Sequence, residues 1–308
     1  MEKVVVDPRP AKQPWNKSSK LASFAGSRGF ADATLIVLAV LLAGVVFSLL
    51  LSVLWSVVSA GAGAMSPQFL YQNNRYISTT TSLEYGGVGH AILGTLWLVL
   101  LATMVALPLG LAIAVYLTQS QSKLRNLVRS ITQALAGLPS VVSGLFVLSI
   151  ISFLGAQKSG IFGALALFPL MLPTVARVAE EALRLVPADL RLAALGLGAP
   201  NYRAFFQVIL PAAKSGIITA LLLGLARVVG ETAPLILTIQ ANNGTNLNPF
   251  DGGVATLPTY IYGFISAGYA SSITRAWGAS LVLLILVGIL FITARLLTAD
   301  KKKKKAKK

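Results

Sequence analysis

The hydrophobic residues of this chain fall into long, nearly uninterrupted runs separated by short polar segments. A helix needs about 20 mainly apolar residues to cross the hydrocarbon core of a bilayer, so each long run is a candidate span. Six runs are long enough, and they cover residues 33–60, 88–118, 131–154, 160–186, 217–240 and 276–297. The pattern therefore predicts an all-α membrane protein with six transmembrane helices.

The same pattern divides the chain into segments. The first 30 residues are polar and include three prolines, which is typical of a disordered segment. The first apolar run follows them too late, and is too long, to be a cleavable signal peptide. We therefore expect a disordered N-terminal segment, a first span, an external loop, a core of five spans and a basic tail, at residues 1–30, 31–60, 61–87, 88–297 and 298–308.

Basic residues alternate between the two sides of the predicted spans. The net charge is +16, and the C-terminal KKKKKAKK contributes seven of these charges. The N-terminal segment and the second and fourth connections are also rich in Lys and Arg, whereas the first and third connections hold only Arg75 and Lys158. The positive-inside rule then places both termini and the connection around residues 187–214 in the cytoplasm.

Two further segments allow two interpretations each. The run VATLPTYIYGFI at residues 254–265 is either an interfacial, partly re-entrant element or an ordinary external loop. The lysine tail either contacts anionic lipid at the inner leaflet or is a solvated signal for topology.

Composition excludes several kinds of function. Only 12% of the residues are charged, about half the share of a soluble domain. The chain has no cysteine and a single histidine, His90, so a thiolate or histidine-cluster metal site is excluded. His90 is either a pH sensor or an interfacial polar residue. We find no pattern typical of nucleic-acid binding, no Gly-rich phosphate loop and no constellation typical of an enzyme.

Charged residues also lie inside two predicted spans. Arg227 and Glu231 are four residues apart and hence on one helix face, where each charge at a span centre costs roughly 2.5–3.5 kcal/mol. Gly230 and Pro234 favour a bend at this point. The pair indicates either a site on a substrate path or a structural ion pair. Arg177, close to Glu180 and Glu181 in the fourth span, is either a second path residue or part of a solvated ion cluster.

The stretch RLAALGLGAPNYRAFFQVILP, at residues 191–211, carries a recognisable spacing. Ala193 and Ala194 precede Gly198, and a Val-Ile-Leu-Pro sequence follows after nine intervening residues, at residues 208–211. This resembles the signature of bacterial ABC-importer permeases, although Leu192 stands where that family has glutamate. The resemblance implies a cytoplasmic coupling helix between spans four and five, contacted by an ATPase through Ala193, Ala194, Gly198, Ala199, Pro200, Tyr202 and Arg203.

We expect this segment to seat apolar side chains, Phe205 and Phe206 among them, in a groove of the partner subunit. Without the resemblance, the same pattern would also fit an amphipathic helix at the membrane surface.

The sequence ARVVGETAPL at residues 226–235 resembles the phosphate-specific ABC-importer permeases, in particular their A-type subunit. LRLVPADLR, GLPSVVSGLFVL and LPTYIY resemble further parts of that family, and the resemblance covers residues 88–297. It implies the type I ABC-importer permease fold and import of phosphate across the bacterial inner membrane by alternating access. It also implies that Arg227, Glu231, Thr232 and Arg177 line the phosphate path, with Gly230 and Pro234 as hinge.

The resemblance further implies partners. These are a second homologous permease in a heterodimer, two copies of an ATPase that bind ATP and Mg, an external phosphate-binding protein and membrane lipid. The chain itself is expected to bind no cofactor. Two other functions stay open from the residues, namely import of another oxyanion such as sulfate or molybdate, and secondary transport driven by an ion gradient.

Overall fold

The computed structural model describes residues 18–78 and 80–305, and the regular structure in these residues is entirely helical. The first helices are α1 (Ser18–Ala62), α2 (Pro67–Tyr71), α3 (Gly89–Gln119), α4 (Leu124–Ala136), α5 (Ser140–Leu154) and α6 (Gly160–Arg184). They are followed by α7 (Ala188–Gly196), α8 (Asn201–Arg203), a π-helical turn (Ala204–Ile209), α9 (Leu210–Ala212), α10 (Lys214–Val229), α11 (Ala233–Thr238), α12 (Leu257–Ser266) and α13 (Ala270–Lys305). Contacts divide the chain into two units with a boundary between Ser56 and Val57.

The helices agree with the predicted membrane fold. Four are long and apolar enough to span a bilayer, namely α1 from Asp32, α3, α6 and α13 up to Thr293. Two bent pairs also pass the test, Leu124–Ala136 with Ser140–Leu154 and Asn201–Ala212 with Lys214–Val229. The described residues therefore contain up to six spans, if each bent pair counts as one.

The predicted third span is not one continuous helix. Residues 131–136 belong to α4, which meets α5 at an angle of 100°. The connecting residues are Gly137, Leu138 and Pro139, and proline both lacks a backbone donor and disfavours helical geometry in the residue before it. α5 alone has 15 residues, which corresponds to about 22 Å of helix.

The predicted fifth span, residues 217–240, is also interrupted. Its helix α10 begins earlier, at Lys214, and ends at Val229, and the short α11 follows after three residues. This break falls within the charged motif of the sequence.

The helix α1 extends N-terminally beyond the predicted first span, residues 31–60. Residues 18–30 are the first residues of α1, while residues 1–17 lie outside the described residues. No proline occurs between Pro14 and Pro67, so no proline interrupts this helix.

The core of the second unit lies between α3, α6 and α10. Buried residues of α3 recur every three or four positions and form one face, which includes Leu98, Ala102 and Ala106. They pack against Met171 and Val175 of α6. Glycines bring the backbones close together at these contacts, since an added Cβ at position 110 or 224 would lie 2.8 or 2.7 Å from a methyl group of Val175.

The segment before α13, for which the sequence allowed either a partly re-entrant element or an ordinary loop, contains the helix α12. The run predicted as either re-entrant or loop folds as a ten-residue helix, which a capping box formed by Thr256 and Thr259 begins. Leu257 and Tyr260 are buried and pack in one cluster with Val88 and Val282. α12 is therefore a fixed part of the second unit.

Candidate functional site

The charged motif of the fifth predicted span lies at the break between α10 and α11. Gly230, Glu231 and Thr232 form the break, and Pro234 lies in the first turn of α11, where its missing N–H is not needed. Gly230 has an ordinary φ of −93°, and the space where a Cβ would stand is open. Neither backbone geometry nor packing therefore requires glycine at this position.

Arg227 forms an ion pair with Glu231, which lies within this break. Arg227 is in the last turn of α10 and donates from Nη1 to Oε1 of Glu231. The carboxylate side chain is 11% exposed and the guanidinium side chain is 46% exposed. The glutamate side chain is thus largely buried, whereas part of the guanidinium is exposed. The arginine uses Nη1 for this hydrogen bond, so several of its five N–H donors can bind another acceptor.

Thr232 and Pro234 flank this pair. Thr232 is the N-cap residue of α11, but its side chain makes no capping hydrogen bond. Pro234 is buried against α5, and an added Cβ on Gly144 would lie 2.7 Å from its Cα. The first turn of α11 is therefore closely packed on its proline side.

Arg177 belongs to a different site. It lies on α6 and faces Glu181, with 3.5 Å between its Nε and Oε1 of the glutamate, and both side chains are exposed. These two residues line a cavity of about 390 Å³ together with Leu117, Arg129, Thr132, Gln133, Ala136, Pro173, Glu180 and Arg184. Arg227 and Glu231 are not among the lining residues.

The predicted coupling residues lie in two short helices separated by a turn. Ala193 and Ala194 are on α7, and Gly198 ends this helix in a left-handed conformation, with φ of +82°. Gly198 N donates to Leu195 O, and Ala199 N donates to Ala194 O, as is usual for a glycine that terminates a helix. Pro200 then begins α8, which contains Tyr202 and Arg203.

This segment exposes large apolar side chains. Leu192, Leu197, Tyr202 and Phe206 are all exposed, and Phe206 by 62%. The expectation that Phe205 is also available to a partner is wrong, because Phe205 is only 6% exposed. Its ring packs within the chain against a cluster that includes Ala114 and Leu183.

A buried polar cluster that is not among the residues predicted from the sequence surrounds Arg275. Arg275 on α13 is fully buried and donates from Nη2 to the carbonyl oxygens of Ser82 and Tyr85, at 2.6 and 2.7 Å. The predicted last span begins at residue 276, so Arg275 falls just outside it. The sequence does single out this residue, because Arg275 is the only Lys or Arg between Arg227 and Arg295.

Asn74, Tyr260 and His90 belong to the same region. Asn74 Nδ2 donates to the Tyr260 hydroxyl at 3.0 Å, and burial raises the pKa of this tyrosine. The His90 ring is buried edge-on against Tyr260, with 5.8 Å between the ring centroids. His90 is thus packed inside the chain, at the first turn of α3.

Three kinds of comparison place the chain among known proteins. The family described as "Binding-protein-dependent transport system inner membrane component" matches residues 106–299. "Phosphate transport system permease protein PstA 1" of Mycobacterium tuberculosis is 42% identical over 214 residues, which are 69% of this chain and 70% of that protein. "Phosphate transport system permease protein PstA" of Yersinia pestis is 36% identical over 257 residues, which are 82% and 85% of the two chains.

Solved structures agree on the fold. A chain of a bacterial alginate ABC transporter, in complex with a periplasmic protein bound to an alginate pentasaccharide, aligns with a TM-score of 0.62 at 17% identity. The alignment covers 88% of this chain and 96% of that one. A chain of the MetNI methionine ABC transporter in an inward-facing conformation aligns with a TM-score of 0.55 at 21% identity, covering 70% and 94%. The chain therefore belongs to the binding-protein-dependent transport system inner membrane components and, within them, to the PstA-type permeases.

Proposed function

We propose that this chain is the permease subunit of an ATP-driven importer and conducts inorganic phosphate across the bacterial plasma membrane by alternating access. The observation that carries this proposal is the 42% identity, over 69% of the chain, to a protein named as a phosphate transport system permease. The chemistry of the break between α10 and α11 is consistent with it.

Arg227 is our first candidate for contact with phosphate. A guanidinium presents several donors in a planar fork that matches a tetrahedral oxyanion. Its side chain is partly exposed, so an anion can approach it without first breaking the fold. The largely buried Glu231 competes with that anion for the same donors. This competition lowers the affinity, and a transport site must release its substrate as well as bind it.

The neighbouring residues support this assignment. The side chain of Thr232 makes no capping hydrogen bond to α11. Its hydroxyl, next to the ion pair in the sequence, would add a neutral hydrogen-bonding group to the path. Gly230 is the first residue of the helix break and Pro234 lies in the first turn after it, and these two residues form the hinge that we propose for alternating access. Arg177, in the cavity next to α4, would meet phosphate at a separate point along the path.

The segment from α7 to α9 is our candidate for coupling to the ATPase. Its exposed apolar side chains form a surface that a partner subunit would cover, in the way that short helices seat in grooves. Ala193, Ala194, Gly198, Ala199, Pro200, Tyr202 and Arg203 would form or position this surface. Motion of the ATPase would then reach α6 and α10 through the buried Phe205.

The complete importer needs parts that this chain does not supply. We propose a heterodimer with a second homologous permease, two copies of an ATPase that bind ATP and Mg, and an external phosphate-binding protein. Basic residues at both ends of the chain and around α7 support a cytoplasmic location for these segments under the positive-inside rule. In this orientation, the coupling segment and the C-terminal end of α6 would lie on the cytoplasmic side.

Reconstituted proteoliposomes test the proposal. The complex is supplied with the external binding protein and internal ATP, and uptake of labelled phosphate is measured with sulfate and molybdate as competitors. We expect uptake that requires ATP hydrolysis and that continues when ionophores dissipate the ion gradients. Equimolar sulfate or molybdate should not inhibit it. Strong competition would assign another oxyanion, and uptake that ionophores abolish would assign a secondary transporter. A nonhydrolysable ATP analogue serves as control.

Glu231→Gln, in the same assay, tests whether the carboxylate tempers phosphate binding. We expect the variant to slow uptake by retaining phosphate longer. Uptake at the rate of the unchanged complex would contradict this role.

A further inference from the structure

The cavity beside α4 contains an unusual arrangement of charge. Oε1 of Glu180 accepts hydrogen bonds from Nη2 of Arg129 at 2.7 Å and from Nη2 of Arg184 at 2.6 Å. The glutamate side chain is only 13% exposed. One carboxylate oxygen on α6 is thus shared by two guanidiniums, one from α4 and one from α6 itself.

This sharing leaves the positive charge of the cavity incompletely neutralised. The lining residues include three arginines and two glutamates, so one positive charge is unmatched. Arg129 and Arg184 each contact Glu180 through a single nitrogen atom, so their remaining N–H groups can bind another acceptor. Arg177 is exposed and contacts Glu181 at only 3.5 Å. The cavity therefore offers donors from three guanidiniums.

Shape and access also fit a small anion. The volume of about 390 Å³ falls within the range of ligand clefts, roughly 300–1,000 Å³. Its wall is formed on one side by α4, whose Thr132 and Gln133 add neutral polar groups to the lining. On the other side the wall is formed by α6, which contributes Pro173 and the charged side chains.

We propose that this cavity is a second oxyanion site, at which Arg129, Arg177 and Arg184 bind a phosphate group on the cytoplasmic side of the helix break. The incoming group displaces Glu180 from part of its contacts with Arg129 and Arg184, and the carboxylate recovers these contacts when the group leaves. This proposal deepens the proposed function and rests on it, because it gives imported phosphate a place of release.

The chain offers a direct test, because it contains no cysteine. Ala136 is exposed on α4 and lines the cavity, whereas Ala134 is exposed on the same helix and does not line it. Ala136→Cys and Ala134→Cys are introduced separately into the permease–ATPase complex in nanodiscs. The rate of labelling by a charged thiol reagent is measured with and without inorganic phosphate, at an ionic strength kept constant with chloride. The complex with the unchanged chain gives the background of its partner subunits.

We expect phosphate to slow labelling of Ala136→Cys at least threefold and to leave Ala134→Cys unaffected. Adding Arg129→Gln removes this protection, while Arg125→Gln, one turn earlier on α4 and outside the cavity lining, preserves it. Adding Glu180→Gln lowers the phosphate concentration for half-protection severalfold, since the competing carboxylate is gone. Equal labelling of Ala136→Cys with and without phosphate would overturn the proposal.

A lipid headgroup carries the same chemistry, so the nanodiscs are prepared with zwitterionic lipid alone and with added phosphatidylglycerol. We expect free phosphate to protect Ala136→Cys in both. Slow labelling caused by phosphatidylglycerol, with no effect of free phosphate, would assign the cavity to lipid and reject the release site. ATP-driven uptake by the same complex keeps the two proposals apart. Uptake without protection rejects only the second site, and absence of uptake rejects the proposed function.

Discussion

The close approach of α3 to the segment before α12 can be tested by adding one methyl group. A Cβ at position 94 would lie 1.9 Å from the carbonyl oxygen of Ala255, whereas carbon–oxygen contacts are normally no closer than about 3.3 Å. The two backbones would have to separate by about 1.4 Å. The segment cannot move freely, because Val254 N donates to Gln240 O and Leu257 N donates to Thr95 Oγ1.

The free-energy cost of Gly94→Ala follows from these contacts. Overpacking a close interface costs about 1–3 kcal/mol, and loss of the hydrogen bond between Leu257 and Thr95 costs about 1 kcal/mol more. Because alanine is a better helix former than glycine, the substitution also stabilises α3 by roughly 0.5–1 kcal/mol. The sum is a loss of about 1–3.5 kcal/mol, which for a chain of this size lowers the unfolding temperature by roughly 2–5 °C.

Gly288→Ala is the matched control, because this glycine is also helical and no atom lies within 4 Å of its added Cβ. Both variants are purified as the assembled complex, and their thermal unfolding is followed by fluorescence-detected size exclusion. We expect Gly94→Ala to unfold at a lower temperature than the unchanged complex, and Gly288→Ala at the same temperature or higher. Equal unfolding temperatures for the two variants would refute the close approach.

Three further predictions compare residues that differ in environment. Phe205 is buried, so we expect Phe205→Ala to destabilise the complex by about 3–5 kcal/mol in thermal unfolding. Phe206 is exposed, so we expect Phe206→Ala to leave thermal unfolding unchanged and to weaken binding of the ATPase in co-purification. Ser143→Ala removes a buried 2.7 Å hydrogen bond to α6 and costs about 1 kcal/mol, whereas Ser149→Ala, on the exposed face of α5, has no measurable effect on unfolding. Gly198→Ala forces alanine into a left-handed conformation at about 1–2 kcal/mol, so ATP hydrolysis becomes less tightly coupled to uptake. Unchanged coupling in this variant would argue against the segment as the contact with the ATPase.

The sequence predicted those parts of the fold that depend on local composition. Long apolar runs identified α1, α3, α6 and α13, because a bilayer-spanning helix needs only length and hydrophobicity. The end of α7 could also be predicted, since glycine at the C-terminus of a helix followed by proline is a local signal.

Tertiary contacts decided the features that the sequence did not reveal. Phe205 and Phe206 are adjacent and chemically identical, and only packing against α3 and α6 makes one of them buried. Arg275 is buried because it binds carbonyl groups 190 or more residues away in the chain. The 100° bend before α5 follows from Gly137 and Pro139, but hydrophobicity continues across it, so the run looked like a single span.

The central claim is that Arg227 contacts phosphate and does not serve only as the partner of Glu231. Labelled-phosphate uptake by the double variant Arg227→Gln/Glu231→Gln, beside each single variant and with assembly verified, tests it most directly. If Arg227 only neutralises the glutamate, removal of both charges leaves no unpaired charge at the break and restores transport. We predict that the double variant, like Arg227→Gln alone, takes up no phosphate above the ATP-free background. Recovery of uptake in the double variant would show that the pair is structural and would contradict the account.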